Sequence, residues 1–298
     1  MTEFAESSMN ASNHRNPNYS LLLCDCVEGM RAMDTGCVDL VVTSPPYNLG
    51  IDYSAYDDTM DRKKYLEWCC VWMGELRRVL AEKGSFFLNV GASPREPLLP
   101  HQIAIQAAQS GWVLQNTFHW IKSVSLPDPS GTGMLSVGHF KPINSKRFVN
   151  DCHEYVFHLT KSGDVPLERL ALGVPYQDKS NIARWNHTNG RDKRCRGNVW
   201  FVPYETIQCR ATDRPHPASF PKQLVKNCLL IVGAKSKSHV MDPFLGIGTS
   251  AVAAAEAGIS RFTGFEIDKE YLRVAQEAVE TARKRFSVES GTGAGTIV

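Results

Sequence analysis

The chain has 298 residues, 43% of them hydrophobic, with 33 Lys and Arg against 31 Asp and Glu. That suits one large α/β domain with an insertion, or two modest domains. No apolar run approaches the roughly 18 residues needed to cross a bilayer, and the polar start, Met1 to Ser20, has no apolar signal core; a cytoplasmic protein is expected.

In chain order, residues 1–18 read as a mobile tail. Val38–Thr43 reads as a buried strand ending in a loop. Tyr65, Trp68, Cys69, Trp72, Leu76, Val79 and Leu80 recur at three- and four-residue steps, one face of an amphipathic helix that Gly84 is expected to end. Ser85–Val90 follows as a strand, residues 103–109 as a helix and residues 113–121 as a strand. From about Leu126 to Pro215 the rhythm breaks into Pro, Gly, Asn and basic residues, within which only His153–Leu159 reads as a strand. Beyond it come a short strand at His239–Met241, an Ala-rich helix at residues 249–257, a strand at residues 261–265 and a helix at residues 269–285. Residues 287–298 are Gly-rich and are expected to be flexible. Alternating β and α elements predict a mostly parallel sheet covered on both faces, with ligands beyond the carboxyl ends of its strands.

Charge is unevenly spread. Residues 122–215 hold 14 Lys and Arg against 9 Asp and Glu, and the remainder holds 19 against 22. A basic centre in a slightly acidic chain points to a polyanionic partner. The nine cysteines are odd in number and irregularly spaced, and no second Cys or His pair completes a zinc pattern. They read as reduced thiols, and no metal is expected.

Two loops carry the chemistry. Val240 to Ser250 runs from a strand through a turn containing Gly246 and Gly248 into the Ala-rich helix, which Thr249 or Ser250 can cap. Glu266 ends the next strand, where a carboxylate can accept from both ribose hydroxyls of a nucleoside cofactor. The loop lacks the G-x-G-x-x-G spacing, and Asp242 at its mouth suits a cationic amino group and would repel a pyrophosphate. Such a loop can also do no more than turn the chain. The second loop, Ser44-Pro45-Pro46-Tyr47, ends the Val38–Thr43 strand. Its prolines stiffen the backbone and remove donors. The Ser44 hydroxyl and the Pro45 carbonyl can accept the two protons of an NH₂ group, and Tyr47 can stack on an extruded base. A rigid turn is the plainer reading of these four residues alone.

Together the motifs resemble a family. Thr43-Ser44-Pro45-Pro46-Tyr47-Asn48 resembles the catalytic motif of DNA amino-methyltransferases, and Asp242-Pro243-Phe244-Leu245-Gly246-Ile247-Gly248-Thr249 resembles their cofactor motif. His216-Pro217-Ala218-Ser219-Phe220-Pro221 is similar to the segment that precedes that motif and lines the cofactor pocket. Phe118–Lys122 and His153-Glu154 also fit, and Asp25 is similar to an Asp that contacts the cofactor adenine, although Cys24 stands where the family often has Gly. The catalytic motif lies about 200 residues before the cofactor motif, the order of the β group.

The resemblance implies a Rossmann-like fold with circularly permuted motif order. Residues 19–125 would form the catalytic half, 126–215 a target-recognition insertion and 216–286 the cofactor-binding half. It implies S-adenosyl-L-methionine as cofactor, held by Asp242, Pro243, Phe244, Gly246, Gly248, Thr249, Glu266, Asp25, His216 and Pro217. The implied reaction is direct methyl transfer to an exocyclic amino group of double-stranded DNA, with no covalent adduct and no cysteine nucleophile. Ser before Pro-Pro-Tyr favours cytosine N4, with adenine N6 the alternative; an RNA or protein-amide methyltransferase and a silent DNA-binding homologue are more distant readings. Lys141, Lys146, Arg147, Arg191, Lys193, Arg194 and Arg196 are candidate phosphate contacts. A second copy of the chain and a cognate restriction endonuclease are further partners such enzymes can have; a membrane is not.

Overall fold

The computed structural model describes residues 18–51, 53, 55–127, 134–138, 144–203 and 220–291. Among them, nine strands join in one sheet. The first part of the chain supplies β1 (Tyr19–Leu23), α1 (Cys26–Arg31), β2 (Val38–Thr43), α2 (Arg62–Val79), β3 (Leu80–Val90), α3 (Leu99–Gln109) and β4 (Val113–Pro127). The centre supplies β5 (Met134–Gly138), β6 (His153–Thr160), the short helix α4 (Ser180–Arg184) and β7 (Val199–Pro203). The end supplies α5 (Lys222–Ile231), β8 (His239–Asp242), α6 (Thr249–Glu256), β9 (Arg261–Glu266) and α7 (Lys269–Gly291).

The strands lie in the order β1-β9-β8-β2-β3-β6-β4-β5, and β7 also pairs with β4. The pairings from β1 to β3 are all parallel; β6 runs antiparallel to both β3 and β4. The late strands β8 and β9 thus sit between the early strands β1 and β2. From β8 the chain crosses through α6 to β9 on one side, and from β2 it crosses through α2 to β3 on the other. Where neighbouring strands send their connections in opposite directions, a crevice opens beyond their carboxyl ends.

Two apolar layers cover the sheet. Helices α1, α2 and α3 pack one face around Tyr65, Trp72, Leu76, Phe86 and Phe265. Helices α5, α6 and α7 pack the other around Leu224, Cys228, Ala254, Phe262 and Val279. Helix α2 shows how sequence makes such an element. Asp61 caps it by accepting from Lys63 N and Lys64 N at 3.1 and 3.3 Å. Tyr65, Cys69, Trp72, Leu76 and Val79 then form the buried face. Burying a side chain of that size is worth roughly 2–3 kcal/mol.

Some expectations need correction. Gly84 does not end α2. The helix stops at Val79 and the chain enters β3 at once, with Val38 paired to Leu80 and Leu40 to Ser85. Residues 81–84 bulge out between these pairs, and a Cβ on Gly84 would lie 2.7 Å from Leu80 Cγ. The basic centre is also not wholly an addition to the sheet, because β6 fills the position between β3 and β4. Helix α7 runs through Gly291, past the point where a flexible tail was expected to begin. No helix among the described residues is long and apolar enough to cross a membrane.

Candidate active site

The carboxyl ends of β8 and β2 are joined by one buried carboxylate. Thr43 Oγ1 donates to Asp242 Oδ1 at 2.5 Å, Phe244 N donates to the same oxygen at 3.0 Å, and Ser250 Oγ donates to Oδ2 at 2.5 Å. Asp242 is 1% exposed, and burial pushes its carboxyl up to about 6 against the pull of these donors. Its carboxylate holds the two loops together and, with three of roughly four acceptor sites used, keeps about one. Thr249 and Ser250 do not cap α6: the cap is Gly248, at φ +84°, and Ser250 serves Asp242 instead.

The loop between β8 and α6 is shaped by a second carboxylate. Glu266 Oε2 accepts from Gly246 N at 2.7 Å, and Oε1 accepts from Ile267 N and Asp268 N at 2.9 Å each. Three of roughly four acceptor sites are then used, which leaves about one for a ribose hydroxyl. Burial raises this carboxyl too. Gly246 and Gly248 both have positive φ, and a Cβ on Gly248 would lie 2.8 Å from that of Ala275. Phe244 packs between Trp68 and Trp72, at 5.5 and 5.1 Å between ring centroids, which fixes the loop to α2. Pro243 is buried and Thr249 half-buried. Asp25 is exposed and caps α1 by accepting from Val27 N and Glu28 N. It lies beside the end of β9, where Cys24 N donates to Glu266 O at 3.0 Å. His216, Pro217 and Lys141 lie outside the described residues.

The Ser44–Tyr47 loop leaves β2 directly after Thr43. Tyr65 of α2 donates its hydroxyl proton to Pro46 O at 2.7 Å. Asn48 follows at φ +56°, a conformation Asn tolerates better than most residues. Asp58, 2% exposed, stabilises the next turn by accepting from Asn48 N, Leu49 N and Ile51 N at 2.7, 3.0 and 3.1 Å. Nothing in the sequence marks Asp58 for this task.

The Ser44 and Tyr47 hydroxyls lie 2.6 Å apart. Tyr47 also contacts Glu154 Oε2 at 3.2 Å, and Asn89 Nδ2 donates to Tyr47 at 2.7 Å and to Glu154 at 2.6 Å. Lys122 pairs with the other Glu154 oxygen at 2.7 Å. Burial, reinforced by Glu154, holds the Tyr47 phenol well above its ordinary range, so it stays neutral. The network is tight: a Cβ on Gly91 would lie 3.0 Å from the Tyr47 ring and 3.2 Å from the Glu154 carboxyl. Asn89 and Glu154 were missed as functional residues. Glu154 carries a signal in the His153-Glu154 motif, which does not speak of contact with Tyr47, and Asn89 carries none beyond its place in the Ser85–Val90 strand.

Other candidates stand apart. Arg147 and Lys146 lie on the exposed segment leading into β6, with Arg147 over the Phe148 ring at 4.9 Å. Arg191, Lys193, Arg194 and Arg196 lie on the exposed segment leading into β7, which bridges to Val174. Burial raises the thiols of Cys24, Cys26 and Cys37, against any thiolate role. Among the described residues no group of His, Cys, Asp or Glu is placed to hold a metal ion.

Comparison with known proteins places this geometry. The family model for N6/N4 methyltransferases, described as DNA methylase, matches residues 38–277. The Type II methyltransferase M.ScaI of Streptomyces caespitosus is 30% identical over 262 residues, 86% of this chain and 79% of that protein. The DNA adenine methyltransferase YhdJ of Escherichia coli K12 is 23% identical over 272 residues, 89% of this chain and 83% of its own. Among solved structures, the cytosine-N4-specific PvuII DNA methyltransferase superposes with a TM-score of 0.62 at 18% identity, covering 90% of this chain and 92% of its own. With its catalytic loop ahead of its cofactor loop and both tied to one buried carboxylate, the chain belongs to the β-group amino-methyltransferases of the DNA methylase family.

Proposed function

We propose that the chain transfers a methyl group from S-adenosyl-L-methionine to the exocyclic N4 of cytosine in double-stranded DNA. The observation that carries this reading is the position of Ser44. Its hydroxyl stands at the end of β2, next to the Thr43–Asp242 bond that fixes the cofactor loop. The loop suits a nucleoside cofactor: the positive φ of Gly246 and Gly248 lets it turn sharply into α6, and Glu266 retains an acceptor for a ribose hydroxyl. Pro243, Phe244 and Thr249 would line the pocket with Asp25, His216 and Pro217. The bound cofactor supplies an electrophilic methyl group on a sulfonium.

The remaining work falls to this chain's side chains. Ser44 Oγ and the Pro45 carbonyl accept the two amino protons and draw the nitrogen lone pair out of conjugation. Pro46 stiffens the loop, and Tyr47 presents its ring to a base turned out of the duplex. Catalysis then rests on positioning and on excluding water. Lys141, Lys146, Arg147, Arg191, Lys193, Arg194 and Arg196 supply phosphate contacts. The match to M.ScaI, a Type II methyltransferase, favours a partnership with a restriction endonuclease. A second reading, adenine N6, is favoured by the likeness to YhdJ.

The test is labelled cofactor with unmethylated genomic duplex DNA, followed by mass spectrometry of the nucleosides. N4-methylcytosine is expected, and Ser44→Ala should slow transfer about 10²-fold or more, as expected for losing a preorganised group. N6-methyladenine would move the assignment to the second reading. DNA that stays unlabelled would overturn both.

A further inference from the structure

We infer that Glu154 sets the direction of a hydrogen-bond chain that ends on Ser44, making Ser44 an acceptor only; this rests on the reading of Ser44 as the group that holds the target amine. The donor and acceptor inventory, with the carboxylate as the strongest acceptor, gives the direction. A carboxylate paired with Lys122 only accepts, and the Asn89 amide nitrogen only donates. Its two protons go to Glu154 Oε2 at 2.6 Å and to Tyr47 at 2.7 Å, while Ser44 Oγ is 3.5 Å away. The neutral Tyr47 oxygen receives a proton from Asn89, and its own proton goes to Glu154 Oε2 at 3.2 Å, because a carboxylate is a stronger acceptor than a serine hydroxyl. The 2.6 Å contact between Tyr47 and Ser44 then needs the Ser44 proton. That proton is spent inward, and the lone pairs of Ser44 are what it can offer a substrate.

The consequence is selectivity by polarity. Such a serine welcomes an N–H group and cannot donate to a ring nitrogen or a carbonyl at the same place. Glu154 comes no closer to the target than Tyr47 and Asn89 allow, so it is a positioning residue. Lys122 holds Oε1 and keeps Oε2 turned toward the chain.

Glu154→Gln tests this with almost no change of shape. Facing the Lys122 ammonium, the amide turns its oxygen to Lys122 and its NH₂ to Tyr47 and Asn89, so Asn89 loses an acceptor, the Tyr47 proton turns to Ser44 and the Ser44 proton points outward. Single-turnover transfer from tritiated S-adenosylmethionine to PCR-amplified genomic DNA should fall about 10²-fold, with cofactor affinity unchanged. Adding Lys122→Met frees the amide to turn its oxygen inward, and should recover most of that loss although Lys122→Met alone brings no gain. Tyr47→Phe removes the link, and should slow transfer and cancel any further effect of Glu154→Gln. An active wild type with an equally fast Glu154→Gln, or a Glu154→Gln variant that Lys122→Met does not speed up, overturns the inference alone. A merely structural role for Glu154 would make the two losses add. A wild type that labels no DNA overturns the functional reading and this inference with it.

Discussion

The two sides of the crevice are held in different ways. On the cofactor side, Asp242 and Glu266 each accept three hydrogen bonds, four of the six from backbone N–H groups, and Asp58 does the same for the turn that follows Tyr47. On the side of the proposed catalytic loop, Ser44, Tyr47, Asn89, Glu154 and Lys122 hold one another through side chains. A carboxylate on backbone amides fixes a shape. A network of hydroxyls, amide and ion pair fixes where protons point, and Asn89 Oδ1 is still buried without a partner. The first arrangement suits binding and the second suits chemistry.

That contrast can be broken by experiment, beginning with the largest effect. Asp58→Ala strips three backbone donors of their acceptor, and should cost about 3 kcal/mol of stability in urea unfolding while slowing transfer. A fully stable Asp58→Ala protein would show that the turn needs no such support. Glu266→Gln keeps one accepting oxygen, and should weaken cofactor binding about tenfold in calorimetry, the worth of one hydrogen bond to a charged group, with little change in the rate at saturation. A lower saturated rate with unchanged affinity would place Glu266 on the catalytic side instead.

Tyr65→Phe frees the Pro46 carbonyl, and should cost about 1 kcal/mol of stability while cofactor affinity holds. Smallest is a change of slope with pH. Burial raises Asp242 from 3.8 to about 6, so the folded state holds its proton more tightly than the unfolded chain. The stability it contributes is present below pH 3.8 and is lost as pH rises to about 6, then stays constant. In Asp242→Asn that part of the slope should vanish from unfolding midpoints measured between pH 4 and 7.

Much of the binding side could be read directly. The glycines at 246 and 248, the acid at Glu266 and the strand Val38–Thr43 are local patterns, and local backbone demands leave local traces. The roles of the acids were harder. Asp242 lies 199 residues from Thr43, and no sequence pattern announces the bond between them. Glu154 meets Tyr47 across 107 residues because β6 turns antiparallel into the sheet, a pairing that no spacing announces. Gly84 misled for a related reason: it looked like a helix stop, and its cause is the side chain of Leu80 beside a bulge.

The bond between Thr43 and Asp242 has one more consequence. It makes the site a seam between two stretches of chain that meet only through side chains and strand edges, as β8 lies against β2 and β9 against β1. Among the described residues, the hydrogen bonds that shape the crevice lie within the stretches before Pro203 and after Phe220 or run between them. Two separate polypeptides divided there carry the two ends of that bond, one on each side of the seam. They could reassemble it as partners in a split enzyme, each mute until it finds the other.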